Sequence, residues 1–208
     1  MTFTIAGVRP EKHAAAPALS FRLRIEDAAP VHAAMLRCQV QVEPRRRGYS
    51  PAEQDRLLEL FGAPARWRDT LRPLVWTHAA LAVPAFEQSV EVDLPVPCTY
   101  DFEVASTKYL HAIEDGEIPL LFLFSGTVFA KTENGYSVRQ VPWDREAAFR
   151  LPAGVWRELM DAYYPGCGWI RLRRESLDAL QRFKAERALT SWEDAIEALL
   201  DGVREPAS

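Results

Sequence analysis

The sequence predicts an α+β protein: an antiparallel, β-sandwich-like body with an inserted helix, followed by a C-terminal group of about three helices. Three observations carry that prediction. Apolar and polar residues alternate with a period of two along several short runs before residue 142, as strands with one buried face do. Turn-forming residues separate those runs without interleaved helices, which favours antiparallel over parallel pairing. After Pro142 the spacing changes to that of amphipathic helices.

The first clear strand is Leu19 to Ile25, where Leu19, Phe21, Leu23 and Ile25 alternate with Ser20, Arg22 and Arg24. Ala34, Leu36, Cys38, Val40 and Val42 repeat the pattern, and the short link Asp27–Pro30 reads as a hairpin between the two. A helix follows at about Pro51 to Phe61. Ser50 stands at the N-cap, Pro51 at the first helical position, Glu53 three residues after the cap and Gly62 at the end.

Strands resume at Leu74–Val83 and at Val90–Leu94, and the alternation of Tyr100, Phe102 and Val104 reads as a further strand. Asp115-Gly116 predicts a turn. Ile118 to Ala130 is the most hydrophobic run and reads as the central strand, joined through the hairpin dipeptide Asn134-Gly135 to Tyr136–Val141. Beyond it, Val155, Trp156, Leu159, Met160 and Tyr163 fit one helix, with Pro152 near its start. Leu177, Leu180 and Phe183 fit a second. Thr190-Ser191-Trp192-Glu193 reads as the capping box of a third, with Ala195, Ile196, Leu199 and Leu200 facing inward. No repeat or linker divides the chain, so residues 1–208 read as one domain, mainly β to 142 and mainly α from 143, with the helices on the sheet.

Composition narrows the function. The balance of 25 basic and 29 acidic residues, net −4, lacks the basic excess by which nucleic-acid binders neutralise phosphate. No apolar run approaches the length of a membrane span, and Met1–Pro10 lacks the charged and apolar blocks of a signal peptide. Three widely spaced cysteines do not form an even-numbered disulfide framework. The expected compartment is the cytoplasm.

Candidate chemistry is sparse. Cys38, Cys98 and Cys167 have no C-x-x-C spacing, and Cys167, between two glycines, reads as the exposed thiol. His13, His32, His78 and His111 form no ligand motif. The cluster Glu114-Asp115-Gly116-Glu117 reads as a solvated turn, and Ser125-Gly126 lies inside a strand rather than on a hydrolase elbow. With no phosphate loop either, no residue is assigned a catalytic or metal-binding role and no cofactor is expected. Two segments read as binding surface. Arg45, Arg46 and Arg47, with Tyr49 nearby, are suited to a phosphate or an acidic partner. The loop from Tyr163 and Tyr164 through Cys167 to Trp169 gathers the aromatic residues of an interface hot spot.

The segments Leu36–Pro44, Leu94–Asp101, Gly116–Phe129, Val141–Trp143 and Leu151–Pro165 resemble a mainly actinobacterial family, a domain of unknown function, with no assigned activity. Genes of that family often lie near those of a nickel–iron hydrogenase of the hydrogen-scavenging type. The resemblance implies an accessory, maturation or assembly role and supplies no catalytic residues. The leading expectation is therefore a non-enzymatic protein that binds another protein, such as a hydrogenase subunit or maturation factor, with Arg45–Arg47, Tyr163, Tyr164 and Trp169 as contacts. The alternative is a small-molecule or metal carrier with a pocket between sheet and helices that includes His78 or His111. An enzyme is the third class.

Overall fold

The computed structural model describes residues 1–11, 13–101, 104–132, 135–168 and 170–204. By its internal contacts the chain divides into two compact units, Met1–Trp169 and Ile170–Ser208.

The first unit runs β1 (Thr2–Pro10), β2 (Ala18–Glu26), β3 (Ala33–Val42), α1 (Pro51–Arg56), α2 (Leu58–Phe61), α3 (Trp67–Thr70), β4 (Leu74–Val83), β5 (Ser89–Pro97), α4 (Ala105–Ala112), β6 (Glu117–Thr132), β7 (Gly135–Gln140), β8 (Glu146–Pro152) and α5 (Ala153–Tyr163). All pairings are antiparallel. One sheet has the order β1-β2-β5; the other has β4-β3-β6-β7, with β8 also on β6.

The alternation read from sequence places Leu19, Phe21, Leu23 and Ile25 of β2, and Ala34, Leu36, Cys38, Val40 and Val42 of β3, in the core. The inner faces meet through aromatic rings. Phe3 stacks on Phe124 at 4.2 Å, and Phe21 sets its edge against Phe122 at 5.0 Å and Phe149 at 5.8 Å. Buried rings of this kind each add about 1.5–3 kcal/mol of transfer free energy. The sandwich is the source of this unit's stability.

β6 changes partner along its length. Its first half pairs with β8 and its second half with β7, the exchange falling at Ser125-Gly126. Gly126 has φ +148° there, and a Cβ on it would lie 2.1 Å from the Met35 carbonyl oxygen, so only glycine fits.

Four expectations need correction. The link Asp27–Pro30 does not close a hairpin: β2 and β3 lie in different sheets, and the link crosses between them. Its direction is fixed by the Asp27 amide on the Gln88 carbonyl, the Val31–Phe86 bridge, and the Asp27 carboxylate taking Arg139. Of the strand read at Tyr100–Val104, the described residues Tyr100 and Asp101 lie in no named strand and Val104 is the N-cap of α4, while Phe102 and Glu103 fall outside the described residues. The inserted helix is divided at Leu57 into α1 and α2, and Leu57 and Phe61, four residues apart on one face, are both buried. The stretch after residue 142 is not wholly helical, since β8 precedes α5 and buries Ala147 and Leu151. The hairpin from β6 to β7 is present, with Thr132 opposite Gly135; its Asn134 lies outside the described residues.

The second unit holds α6 (Arg174–Glu186) and α7 (Trp192–Arg204). Its capping box sits one residue later than the sequence implied. The Ser191 hydroxyl accepts from the Asp194 amide at 3.0 Å, and the Asp194 carboxylate accepts from the Ser191 amide at 2.9 Å and the Thr190 hydroxyl at 2.7 Å. Those bonds, the Thr190 hydroxyl foremost, bring the Asp194 pKa down to about 2.

Candidate functional site

The arginine run is divided by the short turn Pro44–Arg46 that carries it. Arg45 donates to the Arg68 carbonyl at 2.5 Å, which ties the turn to α3. Arg46 is half exposed and pairs loosely with Glu43 at 3.5 Å. Arg47 is buried: 11% of its side chain is exposed, and its Nη2 donates to Glu53 at 2.8 Å, where 5% is exposed. The guanidinium also covers the Tyr49 ring at 5.1 Å, and its Nη1 is buried without a partner among the described residues.

Glu53 is the centre of this network. One oxygen closes the α1 capping box by accepting from the Ser50 amide at 2.9 Å; the other takes Arg47 and the Glu114 amide at 3.2 Å. Beside it the Tyr49 hydroxyl donates to the Pro44 carbonyl at 2.7 Å and so accepts from the Tyr109 hydroxyl at 2.8 Å. Burial pushes the Tyr49 phenol up to about 12 and Tyr109 higher still. Both are neutral at physiological pH, as hydrogen-bonded struts should be.

The aromatic loop folds back on its own unit. The Tyr163 hydroxyl donates to the carbonyls of Ala14 at 2.7 Å and Glu11 at 3.2 Å, pinning the end of α5 to the β1–β2 connection. Tyr164 is half-buried and stacks on Tyr100 with centroids 5.2 Å apart and planes 9° apart. Trp169 lies outside the described residues. Cys167 is exposed, whereas Cys38 and Cys98 are buried and their thiols are raised to about 12 by burial.

Tyr100 of this stacked pair lines a cleft of about 630 Å³, together with Arg56 of α1, His111 of α4, Ile113, Glu114, and Trp156, Arg157, Met160 and Asp161 of α5. Arg56 bonds Glu114 at 2.7 Å. His111 is held below the ordinary histidine range, first by burial and then by the Arg56 charge, so its imidazole is neutral at pH 7. Tyr100 meets Trp156 at 5.9 Å and His111 at 6.1 Å. Trp156 is 2% exposed, and its indole N–H is buried with no partner among the described residues. His78, the other histidine expected in a pocket, is exposed on β4 instead. Sequence reading singled out none of the α5 cleft residues, because Trp156 and Met160 have the spacing of an ordinary core face and Arg157 and Asp161 that of its wet flank.

A second surface lies in the C-terminal unit. Trp192, Ile196, Leu199 and Leu200 fall on one face of α7 and are all exposed, and Leu177 of α6 is exposed as well. The expectation that Ile196, Leu199 and Leu200 face inward is overturned; only Ala195 of that set is buried. The spacing was read correctly, but a two-helix unit has too little surface of its own to cover such a stripe.

These features define an α+β protein of two units, a two-sheet sandwich with a polar cleft and a helical pair with a partly exposed apolar stripe. Over residues 1–208 the chain matches the family described as Family of unknown function (DUF6084), and it belongs to that family. No curated protein and no solved structure matches it. Among the described residues no three His, Cys, Asp or Glu side chains gather to hold a metal ion, and no helix is long and apolar enough to cross a membrane.

Proposed function

We propose that the protein is a non-enzymatic accessory or assembly protein that works by binding another protein, with the α7 stripe as its main contact. The observation that supports this reading is the exposure of Trp192, Ile196, Leu199 and Leu200 along a single helical face. Contiguous apolar surface of this kind marks interaction sites, and a tryptophan within it is the residue type most often found at hot spots. Arg45 and Arg46, both exposed, are the members of the arginine run left to contact a partner. The resemblance stated above makes a nickel–iron hydrogenase subunit or maturation factor the partner to test first.

The test is affinity capture of the tagged full chain from its native host, beside the variant Ile196→Asp/Leu200→Asp. A hydrogenase subunit or maturation factor recovered at about one per chain, and lost from the variant at unchanged melting of the first unit, supports the reading. Capture without any hydrogenase component rejects that partner, and equal capture by the variant rejects the surface.

A second reading, the small-molecule carrier, is favoured by the cleft between α4 and α5. It has the size range of ligand sites and polar groups converging from three elements.

A further inference from the structure

We infer that the α4–α5 cleft binds a small monocarboxylic acid with an apolar or aromatic body, an inference that rests on the carrier reading. The walls carry two guanidinium groups and two carboxylates. Arg56 and Glu114 engage each other, which leaves Arg157 and Asp161 as the other charged groups, and Trp156 adds a donor-only indole. Arg157 makes no ion pair among the described residues, so its guanidinium is available to a ligand oxygen, and Arg–carboxylate bonds are among the strong ones.

The indole points to the same chemistry. A buried N–H without an acceptor costs free energy, and a carboxylate oxygen is the kind of atom that would relieve it. The apolar lining from Ile113, Met160 and the Tyr100 ring fits a hydrocarbon or aromatic body. Charge balance sets the limit on the anion. Arg56 and Arg157 face Glu114 and Asp161, so the cleft is formally neutral with His111 uncharged. That favours a single carboxylate over a phosphate dianion, which would meet the two acidic groups at close range.

Benzoate, hexanoate, benzylamine and inorganic phosphate, each titrated calorimetrically into the full chain, test the inference. Benzoate or hexanoate should saturate at one site, and Arg157→Ala should weaken that binding at least tenfold with melting unchanged. Trp156→Phe, which keeps a ring in place and removes the N–H, should weaken it several-fold. Ile196→Asp/Leu200→Asp should leave it unchanged, since that stripe belongs to the other proposal. Benzylamine binding that Asp161→Asn abolishes, with no response to either acid, would overturn the carboxylate assignment and keep the carrier. Silence from all four probes overturns both, as does acid binding indifferent to Arg157→Ala.

Discussion

Replacing Glu53 with alanine removes three bonds from one buried point. The capping box of α1 is worth about 1 kcal/mol. The larger loss is the partner of Arg47, because a buried charge left without its counter-ion costs about 3–5 kcal/mol. The amides of Ser50 and Glu114 lose their acceptor too, but water replaces it in part where they near the surface. A net cost of about 4 kcal/mol converts to a fall of roughly 8–16 °C in melting temperature for a chain of this size. Urea unfolding followed by tryptophan fluorescence measures it. Arg47→Met should be costly alone, and the double variant Arg47→Met/Glu53→Ala should cost less than the two singles together by at least ~1.5 kcal/mol. Strict additivity, or a Glu53→Ala cost under about 1 kcal/mol, would refute the view that this pair organises the turn, α1 and the rim of the cleft.

Three further outcomes follow from the fold. For Asp27, burial alone would raise the pKa, but the Arg139 hydrogen bond, the Ala29 amide and the Arg139 charge outweigh it and leave it lowered. A lowered folded value gives stability that is complete above the ordinary carboxylate range near ~4 and is lost as pH falls through the folded value. Asp27→Asn should therefore melt earlier at pH 7, with the gap to wild type closing in acid. Gly126→Ala should cost at least ~2 kcal/mol, since its Cβ meets the Met35 carbonyl oxygen, whereas Gly7→Ala, with nothing within 4 Å, should be nearly neutral by thermal melting. A thiol reagent at pH 8 should label Cys167 promptly and Cys38 and Cys98 only on unfolding, because both buried thiols titrate near 12.

What the sequence made readable was local. Period-two runs identified β2, β3 and β5 because each buries one face only, β6 was read from its continuous apolar run, and Ser50 with Glu53 marked the α1 start because a capping box is complete within four residues. β8 was missed since Ala147 and Leu151 give only a faint alternation beside the stronger helical pattern of α5. α4 was missed because it has no side-chain cap, and what fixes it is burial of Tyr109 and Leu110. The candidate site was harder still. Arg45, Arg46 and Arg47 are identical in sequence terms, yet one ties to a carbonyl, one reaches solvent and one is buried against Glu53. Which arginine does which depends on α3 and α1, elements that the run itself does not encode. The cleft joins residues from position 56 to position 161, a convergence that no spacing rule reports.

The pairing of β6 has a consequence for how the chain is made. β3 is completed early in synthesis, yet its inner neighbour arrives only when residues 117–132 leave the ribosome, with Val42 waiting for Leu120. Until then the edge of β3 that faces β6 is bare, an apolar strand with unpaired amides of the kind that recruits other chains. β7 and β8 in turn lack the strand they pair with before β6 is seated. The second sheet should thus close late and slowly, as long-range antiparallel pairings do. In a concentrated cytosol or expression host, yield should depend more on chaperone capacity and growth temperature than on the stability of the finished fold.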